Sequence, residues 1–303
     1  MIAIEFILAG MLAAATPFLL AALGELVAER SGVLNLGVEG MMALGAAIAF
    51  ITVYTGGGHV PAFIAGGICA MILSLFFAFA TIGLHANQVA TGLAVGILGL
   101  GLSAYFGKPF ESFTVTGIDK IAIPGLAELP LVGGLFYQDI VVWLSLLFTV
   151  ALWYVLTKTK LGLLLKAVGE NPHAAESIGY PVRLIRVGAV AFGGFMAGVA
   201  GAYASTVYTP LWADGMIAGR GWIAVALVVF GTWMVGRVFL GALLFGAVSL
   251  GGIAVQTVGL AIPSQLLTSL PYIVTIVVLG VISSNRRLLR LNGIASLGEP
   301  YEK

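Results

Sequence analysis

Charged side chains are the scarcest feature of this 303-residue chain, at 9% of all residues, whereas a soluble domain carries about 25%. Five long stretches contain no Asp, Glu, Lys or Arg: residues 6–24, 40–107, 140–157, 187–213 and 238–285. About 20 apolar residues cross a bilayer as a helix, and a charge at the centre costs about 2.5–3.5 kcal/mol. The composition excludes an ordinary soluble domain. It predicts an all-α polytopic membrane protein.

Several kinds of site are missing as well. The single cysteine, Cys69, allows no internal disulfide, and a net charge of +1 gives nothing with which to hold nucleic acid. The sequence has no metal-ligand cluster, no nucleophile triad and no phosphate-binding loop. We therefore expect neither an enzyme nor a chain that binds a cofactor of its own. The charge-free runs also lack the ionisable groups of a pump, which favours a passive path that receives energy from elsewhere.

Glycine runs and amide side chains divide the apolar stretches into spans. "TGGGH" at 55–59 and "LHANQ" at 84–88 interrupt the longest stretch, and "QTVGLAIPSQ" at 256–265 interrupts the last. The result is about nine transmembrane helices, with eight to ten possible, in one domain covering residues 1–303. The predicted spans are 5–26, 38–56, 60–83, 89–106, 138–157, 184–206, 221–235, 238–256 and 267–283.

Basic residues predict the orientation, because cytoplasmic loops are rich in lysine and arginine. The loop at 158–183 and the tail at 284–303 are both basic and are separated by an even number of predicted spans. Both are therefore assigned to the cytoplasm. Arg30 and His85 then lie inside, while the N-terminus, the "GGGH" turn and the loops at 107–137 and 207–220 lie outside.

Glycine, in contrast, is abundant, with 42 residues. Small residues at four-residue spacing let membrane helices approach closely. Gly92 with Gly96, and Gly194 with Gly198, have this spacing and are predicted at helix contacts.

The most polar segment between apolar runs is "KAVGENPHAAESIGYPVRLIR" at 166–186, and "ENPHAAESIGY" at 170–180 within it has the pattern of a short capped helix. Asn171 suits a helix N-cap, Pro172 the first position and Gly179 the left-handed C-terminal position. Ala174, Ala175 and Ile178 would give this helix a small apolar face. Such a helix is suited to dock into a groove of another protein. The alternative is an interfacial helix that only stabilises the loop.

Two further polar groups border apolar runs. In "SGVLNLGVEG" at 31–40, Asn35 is predicted to cap the second helix and Glu39 to lie in its first turn, where the helix dipole favours negative charge. These residues either line the substrate path or only cap and pin a helix. Asn87, Gln88 and Thr91 form the other group. Their side chains either bind a substrate or tie helices together.

"GELVAERSGVLNLGVEGMMALGA" at 24–46 and "KAVGENPHAAESIGYPV" at 166–182 resemble the permease subunits of bacterial ABC importers. The resemblance is to the family that serves branched-chain amino acids, simple sugars and nucleosides, and "ERSGVLNLGVEG" looks most like its nucleoside branch. It extends over nearly the whole chain in length and span order. It implies that the second motif is a short cytoplasmic coupling helix that contacts the ATP-binding subunit, with these contact residues: Glu170, Asn171, Pro172, His173, Ala174, Ala175, Glu176, Ser177, Ile178 and Gly179.

The resemblance also implies the rest of the machine. ATP would be bound and hydrolysed on a separate ATP-binding subunit. A second, different permease subunit would complete the membrane domain, and an extracellular lipoprotein would deliver the substrate. This multi-pass chain would lie in the lipid of a bacterial cell membrane with its C-terminus in the cytoplasm. Nucleosides are the predicted substrate. A simple sugar, a branched-chain amino acid, a secondary transporter and a structural scaffold are the alternatives.

The predicted orientation can be tested with single cysteines at Thr159 and Glu302 in a Cys69→Ala background. Both positions lie in segments assigned to the cytoplasm, so neither cysteine should react with a membrane-impermeant thiol reagent in intact cells. Both should react after the membrane is opened. Labelling of either position in intact cells would reverse the orientation.

Overall fold

The computed structural model is a bundle of helices. It describes residues 2–129, 132–257, 269–270, 273–277, 280, 293–299 and 301. The helices are α1 (Ile2–Arg30), α2 (Val38–Tyr54), α3 (His59–Ala78), α4 (Gln88–Gly107), α5 (Ile140–Lys158), α6 (Lys160–Glu170), α7 (Pro172–Ser177), α8 (Val182–Tyr203), α9 (Arg220–Phe230) and α10 (Val235–Thr257). Short π-helical segments extend α3 to Gly83 and α8 to Tyr208.

The helices confirm the predicted all-α membrane architecture. Within the described residues, five helices, with their extensions, are long and apolar enough to cross a membrane, and three shorter apolar helices accompany them. Each of these eight overlaps one of the first eight predicted spans. The ninth prediction, 267–283, and the basic residues of the tail fall mainly outside the described residues.

The predicted span at 221–235 is wrong in length. α9 ends at Phe230, because Thr232 and Trp233 take positive φ angles of 48° and 54° and turn the chain. Its 11 residues extend only roughly 16 Å, about half the thickness of a bilayer's hydrocarbon core. The non-helical segment 209–219, in which Trp212 and Ile217 are buried, leads into this short helix.

The loops cluster at two ends of the bundle, as the predicted topology requires. At one end, the Val115 amide donates to the Pro210 carbonyl, and the rings of Tyr54 and Phe113 are 4.9 Å apart. Two short antiparallel strands, β1 (Lys120–Ala122) and β2 (Tyr137–Asp139), belong to this end. Arg30, helices α6 and α7, and residues 293–299 and 301 meet at the other end. The described structure thus groups the loops as predicted, and the assignment of the second end to the cytoplasm stays a prediction.

Glycine contacts pack α2 closely against its neighbours α3, α4 and α8. A methyl group on Gly45 would lie 2.5 Å from the Gly198 Cα of α8, and one on Gly92 would lie 2.8 Å from the Leu36 amide nitrogen. A methyl group on Gly198 would in turn collide with the Gly66 carbonyl of α3. Gly96 of α4 touches Gly40 of α2, and Gly194 of α8 lies against Ala70 and Ser74 of α3. All four predicted glycines, Gly92, Gly96, Gly194 and Gly198, are therefore confirmed at close contacts.

The predicted capped helix is confirmed as α7. The Asn171 side chain accepts from the Ala174 amide at 2.9 Å, Pro172 occupies the first turn, and Gly179 has a φ of +92°. The loop predicted at 158–183 also contains α6, an amphipathic helix with Gly162, Val168 and Gly169 buried. α6 and α7 form a short hairpin, called here the α6–α7 hairpin.

The predicted apolar face of α7 is divided rather than continuous. Ala175 is 2% exposed and packs against Val168, Val182 and Tyr301. Ala174 and Ile178 point away from the chain, and Ile178 is 71% exposed. The reason is the short turn at Gly179, which folds α7 back against the start of α8. Ala175 is therefore not available to a partner, which corrects its predicted role as a contact residue.

Candidate functional site

The break between α1 and α2 is non-helical backbone buried inside the bundle, and its amides are held by side chains. The Asn35 amide donates to Glu25 Oε1 at 3.0 Å, and the Leu34 amide donates to Gln88 Oε1 at 2.7 Å. Such backbone is tolerated at membrane depth only where protein or a cavity surrounds it. Residues 31–37 are called here the α1–α2 break.

Asn35 does not cap α2 as predicted. Its Oδ1 accepts from the Gly37 amide at 2.9 Å, and α2 begins after Gly37 without a side-chain cap. Asn35 thus closes a tight turn two residues before Gly37, which is the N-cap position of α2. It is fully buried, with Nδ2 3.4 Å from the Met41 sulfur, so its contacts are those of a packed residue.

Glu39 lies in the first turn of α2, as predicted, but its carboxylate caps a different helix. Oε1 accepts from the Gly219 amide and Oε2 from the Gly221 amide, both at 2.7 Å. These amides belong to the first turn of α9 and the residue before it, where unpaired donors and the helix dipole attract a negative charge. Gly221 is required because a methyl group there would lie 2.5 Å from the Glu39 Cα. One side chain therefore fixes the buried start of α9 to α2.

A cavity of about 220 Å³ opens beside this cap. It lies between α2, α4 and the non-helical segment 213–218, and its polar lining residues are Glu39, Ser103 and Asp214. Ser103 donates to the Ala43 carbonyl at 2.8 Å, so its hydroxyl also ties α4 to α2. The remaining lining is apolar or backbone: Ala43, Leu100, Ala213, Gly215, Met216, Ile217 and Ala218. The sequence left open whether Glu39 pins a helix or lines a path. In the structure its side chain holds the start of α9 and also lines the cavity.

The second predicted polar group does not face the cavity. Gln88 is buried, and besides accepting from Leu34 it donates through Nε2 to the Glu299 carbonyl at 3.2 Å. Asn87 is exposed and caps α4 by accepting from the Ala90 amide at 3.0 Å. Thr91 is half-buried one turn further along α4. The contacts of Asn87 and Gln88 match the alternative in which these amides hold the structure together.

The acidic residues at the end of α1 are buried in the bundle, although they precede a predicted loop in the sequence. Glu25 and Glu29 are both buried, and Glu29 Oε2 accepts from the Trp233 indole nitrogen at 2.6 Å. Arg30 donates to the Trp233 carbonyl at 2.6 Å. These contacts with Trp233 cannot be predicted from local sequence patterns, because the partners are more than 200 residues apart. They tie the turn after α9 to the end of α1.

The α6–α7 hairpin presents a mixed surface at the end where Arg30 lies. Glu170, Asn171, His173, Ala174, Ser177, Ile178 and Gly179 are exposed, Glu176 is half-buried, and Pro172 and Ala175 are buried. Three residues that sequence analysis did not single out hold the buried side: Arg186, Ser296 and Tyr301. Their only sequence signal is polarity or aromaticity in a tail and at a helix start, which does not identify a partner.

We expect removal of the Glu39 carboxylate to weaken the start of α9. Glu39→Leu leaves two buried amides without an acceptor, and each costs about 1–3 kcal/mol, whereas Glu39→Gln keeps one acceptor. The purified protein should therefore lose thermal stability in the order wild type, Glu39→Gln, Glu39→Leu. Glu170→Gln, on an exposed side chain, is the control and should leave stability unchanged. Equal stability of Glu39→Leu and wild type would contradict a stabilising role of the Glu39 carboxylate at the start of α9.

Comparison with known proteins places this architecture in a family. Residues 7–282 match the family described as branched-chain amino acid transport system, permease component. The nucleoside ABC transporter permease protein NupC of Lactococcus lactis is 31% identical, with 92% of each chain covered. The guanosine ABC transporter permease protein NupQ of Bacillus subtilis is 32% identical, with 99% of this chain and 97% of the relative covered.

A third relative carries a different substrate name. TsgC13 of Haloferax volcanii, provisionally named a glucose ABC transporter permease protein, is 39% identical over 96% of this chain and 95% of its own. The shared feature of the three names is the permease of an ABC transporter, and the substrates differ. With its buried helix breaks and apolar helices, the chain belongs to the branched-chain amino acid transport system permease family and is a multi-pass ABC transporter permease subunit, a transport component and not an enzyme.

Proposed function

We propose that this chain is a permease of an ATP-driven nucleoside importer and that α7 is its contact with the ATP-binding subunit. The observation that supports the contact is the division of α7 into two faces. Its inner face is fixed on Val168, Val182 and Tyr301, while His173, Ala174, Ser177 and Ile178 are exposed. A helix that is packed against the permease on one face and exposed on the other can transmit a displacement from a partner subunit to the permease.

The exposed side of the α6–α7 hairpin and the adjacent start of α8 carries several apolar side chains. Leu161, Leu163, Ile178 and Leu184 are each 63–72% exposed. Exposed apolar patches mark contacts with protein or membrane. We assign Ile178 to the ATP-binding subunit, because it directly follows α7 and is exposed together with Ala174 and Ser177 of that helix. ATP is bound by that subunit, and this chain binds no cofactor itself.

The nucleoside assignment is supported by the "SGVLNLGVEG" motif and by the relatives named for nucleoside and guanosine transport. The cavity beside Glu39 has mainly apolar walls with a few polar groups, the usual lining of a small-molecule site. Both Glu39 oxygens are already bonded to α9, so the site suits an uncharged solute. The relative named for glucose supports a simple sugar as the second candidate.

The remaining partners follow from the same family. A second, different permease would cover part of the apolar surface of α3 and α4, where Phe76, Ile97 and Tyr105 are 63–76% exposed. Lipid would cover the rest. A lipoprotein outside a bacterial cell membrane would deliver the substrate to the loops at 108–139 and 209–219, and the C-terminus would lie in the cytoplasm.

The substrate is tested with the complete complex in proteoliposomes, supplied with ATP and its binding protein. We expect uptake of a radiolabelled nucleoside, with unlabelled nucleoside competing and unlabelled glucose not competing. Collapse of ion gradients at constant ATP should leave uptake unchanged. Glucose uptake without nucleoside uptake would select the second candidate, and uptake that follows the ion gradient would contradict an ATP-driven importer.

The docking face is tested with Ile178→Asp and Ala174→Arg. Both side chains are exposed, so each variant should reach the membrane at wild-type abundance and lose most of the co-purifying ATP-binding subunit. Leu126→Asp, at an exposed position in the loop at the opposite end, is the control and should retain that subunit. Retention of the ATP-binding subunit by both α7 variants would assign α7 to the interfacial alternative.

A further inference from the structure

The C-terminal residues 293–299 and 301, called here the C-terminal strut, lie between the α6–α7 hairpin and the α1–α2 break. The family resemblance assigns this segment no role, and its hydrogen bonds to the rest of the permease join residues 110–211 positions apart in the chain. The strut makes three sets of contacts, at Ser296, Glu299 and Tyr301. Each set joins a different part of the permease.

Ser296 fastens the strut to the end of α6 and to α8. Its amide and its hydroxyl both donate to the Gly169 carbonyl, at 3.1 Å and 2.7 Å. The hydroxyl oxygen accepts from Arg186 Nη2 at 3.0 Å. Arg186 is 1% exposed, so this hydrogen bond is shielded from water. The Ser296 side chain therefore connects α6 with α8 through one oxygen.

Tyr301 fastens the strut to α7. Its hydroxyl is hydrogen-bonded to Glu176 Oε2, and its ring lies on the buried side of Ala175. The His173 ring is 5.2 Å from the Tyr301 ring, and the Arg186 guanidinium carbon is 5.5 Å from it. Burial, followed by the Glu176 carboxylate, raises the pKa of the Tyr301 phenol. The phenol stays protonated at neutral pH and donates a charge-assisted hydrogen bond.

The strut also reaches the α1–α2 break. Gln88 donates to the Glu299 carbonyl of the strut and accepts from Leu34 of the break. Gly32 of the break lies against Ser296, and a methyl group at Gly32 would collide with the Ser296 hydroxyl. The break continues into α2, whose Glu39 caps α9 beside the cavity. Contacts are therefore continuous from α7 to the cavity wall.

We propose that Tyr301 and Ser296 are positioning residues that hold α7 in place and transmit its displacement through the strut to the α1–α2 break. The inference rests on the proposed docking of the ATP-binding subunit on α7. A six-residue helix is too short to keep its position alone, and only Pro172 and Ala175 of α7 are buried. Without a connection of this kind, a push on α7 would be absorbed by the turns at Asn171 and Gly179.

The test uses Tyr301→Phe, which keeps the ring and removes the hydroxyl, and Ser296→Ala, which removes the serine hydroxyl. Tyr180→Phe is the matched control, because Tyr180 is an exposed tyrosine three residues after Ser177. The complete complex in proteoliposomes gives solute carried per ATP hydrolysed, and the same preparation gives the amount of bound ATP-binding subunit. A ratio is used because a purely structural role changes abundance and leaves the ratio unchanged.

We expect Tyr301→Phe and Ser296→Ala to retain the ATP-binding subunit and to carry roughly fivefold to tenfold less solute per ATP, the effect of one charge-assisted or buried hydrogen bond. Tyr180→Phe should match wild type. A wild-type ratio in Tyr301→Phe and Ser296→Ala, at normal or reduced abundance, would overturn the transmission role. Loss of the docking site is a separate outcome, because it is measured by Ile178→Asp and the amount of bound subunit.

Discussion

Every helix break inside this bundle must find hydrogen-bond partners without water, and this constraint explains where the rare polar side chains lie. Non-helical backbone at membrane depth is costly unless its amides are paired. Glu25 and Gln88 pair the amides of the α1–α2 break, and Glu39 pairs those at the buried start of α9. A chain with only 9% charged residues thus uses Glu25 at the connection between α1 and α2, and Glu39 at the start of α9. The cavity lies beside the Glu39 contact.

The same constraint links the membrane part of the permease to its coupling end. Gln88 bonds the α1–α2 break and the strut with one amide group, and the strut reaches α7 through Tyr301. Rigid contact at each step is needed because a flexible loop would absorb motion rather than transmit it. Close glycine contacts around α2 have the same consequence, since backbones in contact move together. In the proposed function, the inner face of α7 belongs to this rigid path and the outer face belongs to the ATP-binding subunit.

Local features were predictable from the sequence, and long-range contacts were not. Eight of the nine spans predicted from the apolar runs overlap helices of the described structure, and Asn171, Pro172 and Gly179 predicted α7, because span length and capping depend on neighbouring residues. The same reasoning assigned Asn35 to the cap of α2 and extended the seventh span past Phe230, where left-handed Thr232 and Trp233 end the helix. The partners of Glu39 are 180 and 182 residues away, and no periodicity reports such a pair. Ala175 faced inward for a similar reason, since Tyr301 comes from the far end of the chain.

In the proposed importer, α7 meets the ATP-binding subunit with its outer face while its inner face stays on the permease. Site-specific photo-cross-linking in the intact complex measures this directly, with a photoreactive phenylalanine analogue at Ile178 in one preparation and at Tyr301 in another. We predict a cross-link from position 178 to the ATP-binding subunit and only intramolecular cross-links from position 301. Cross-links from position 178 to lipid alone, in a complex that still contains the ATP-binding subunit, would contradict the claim.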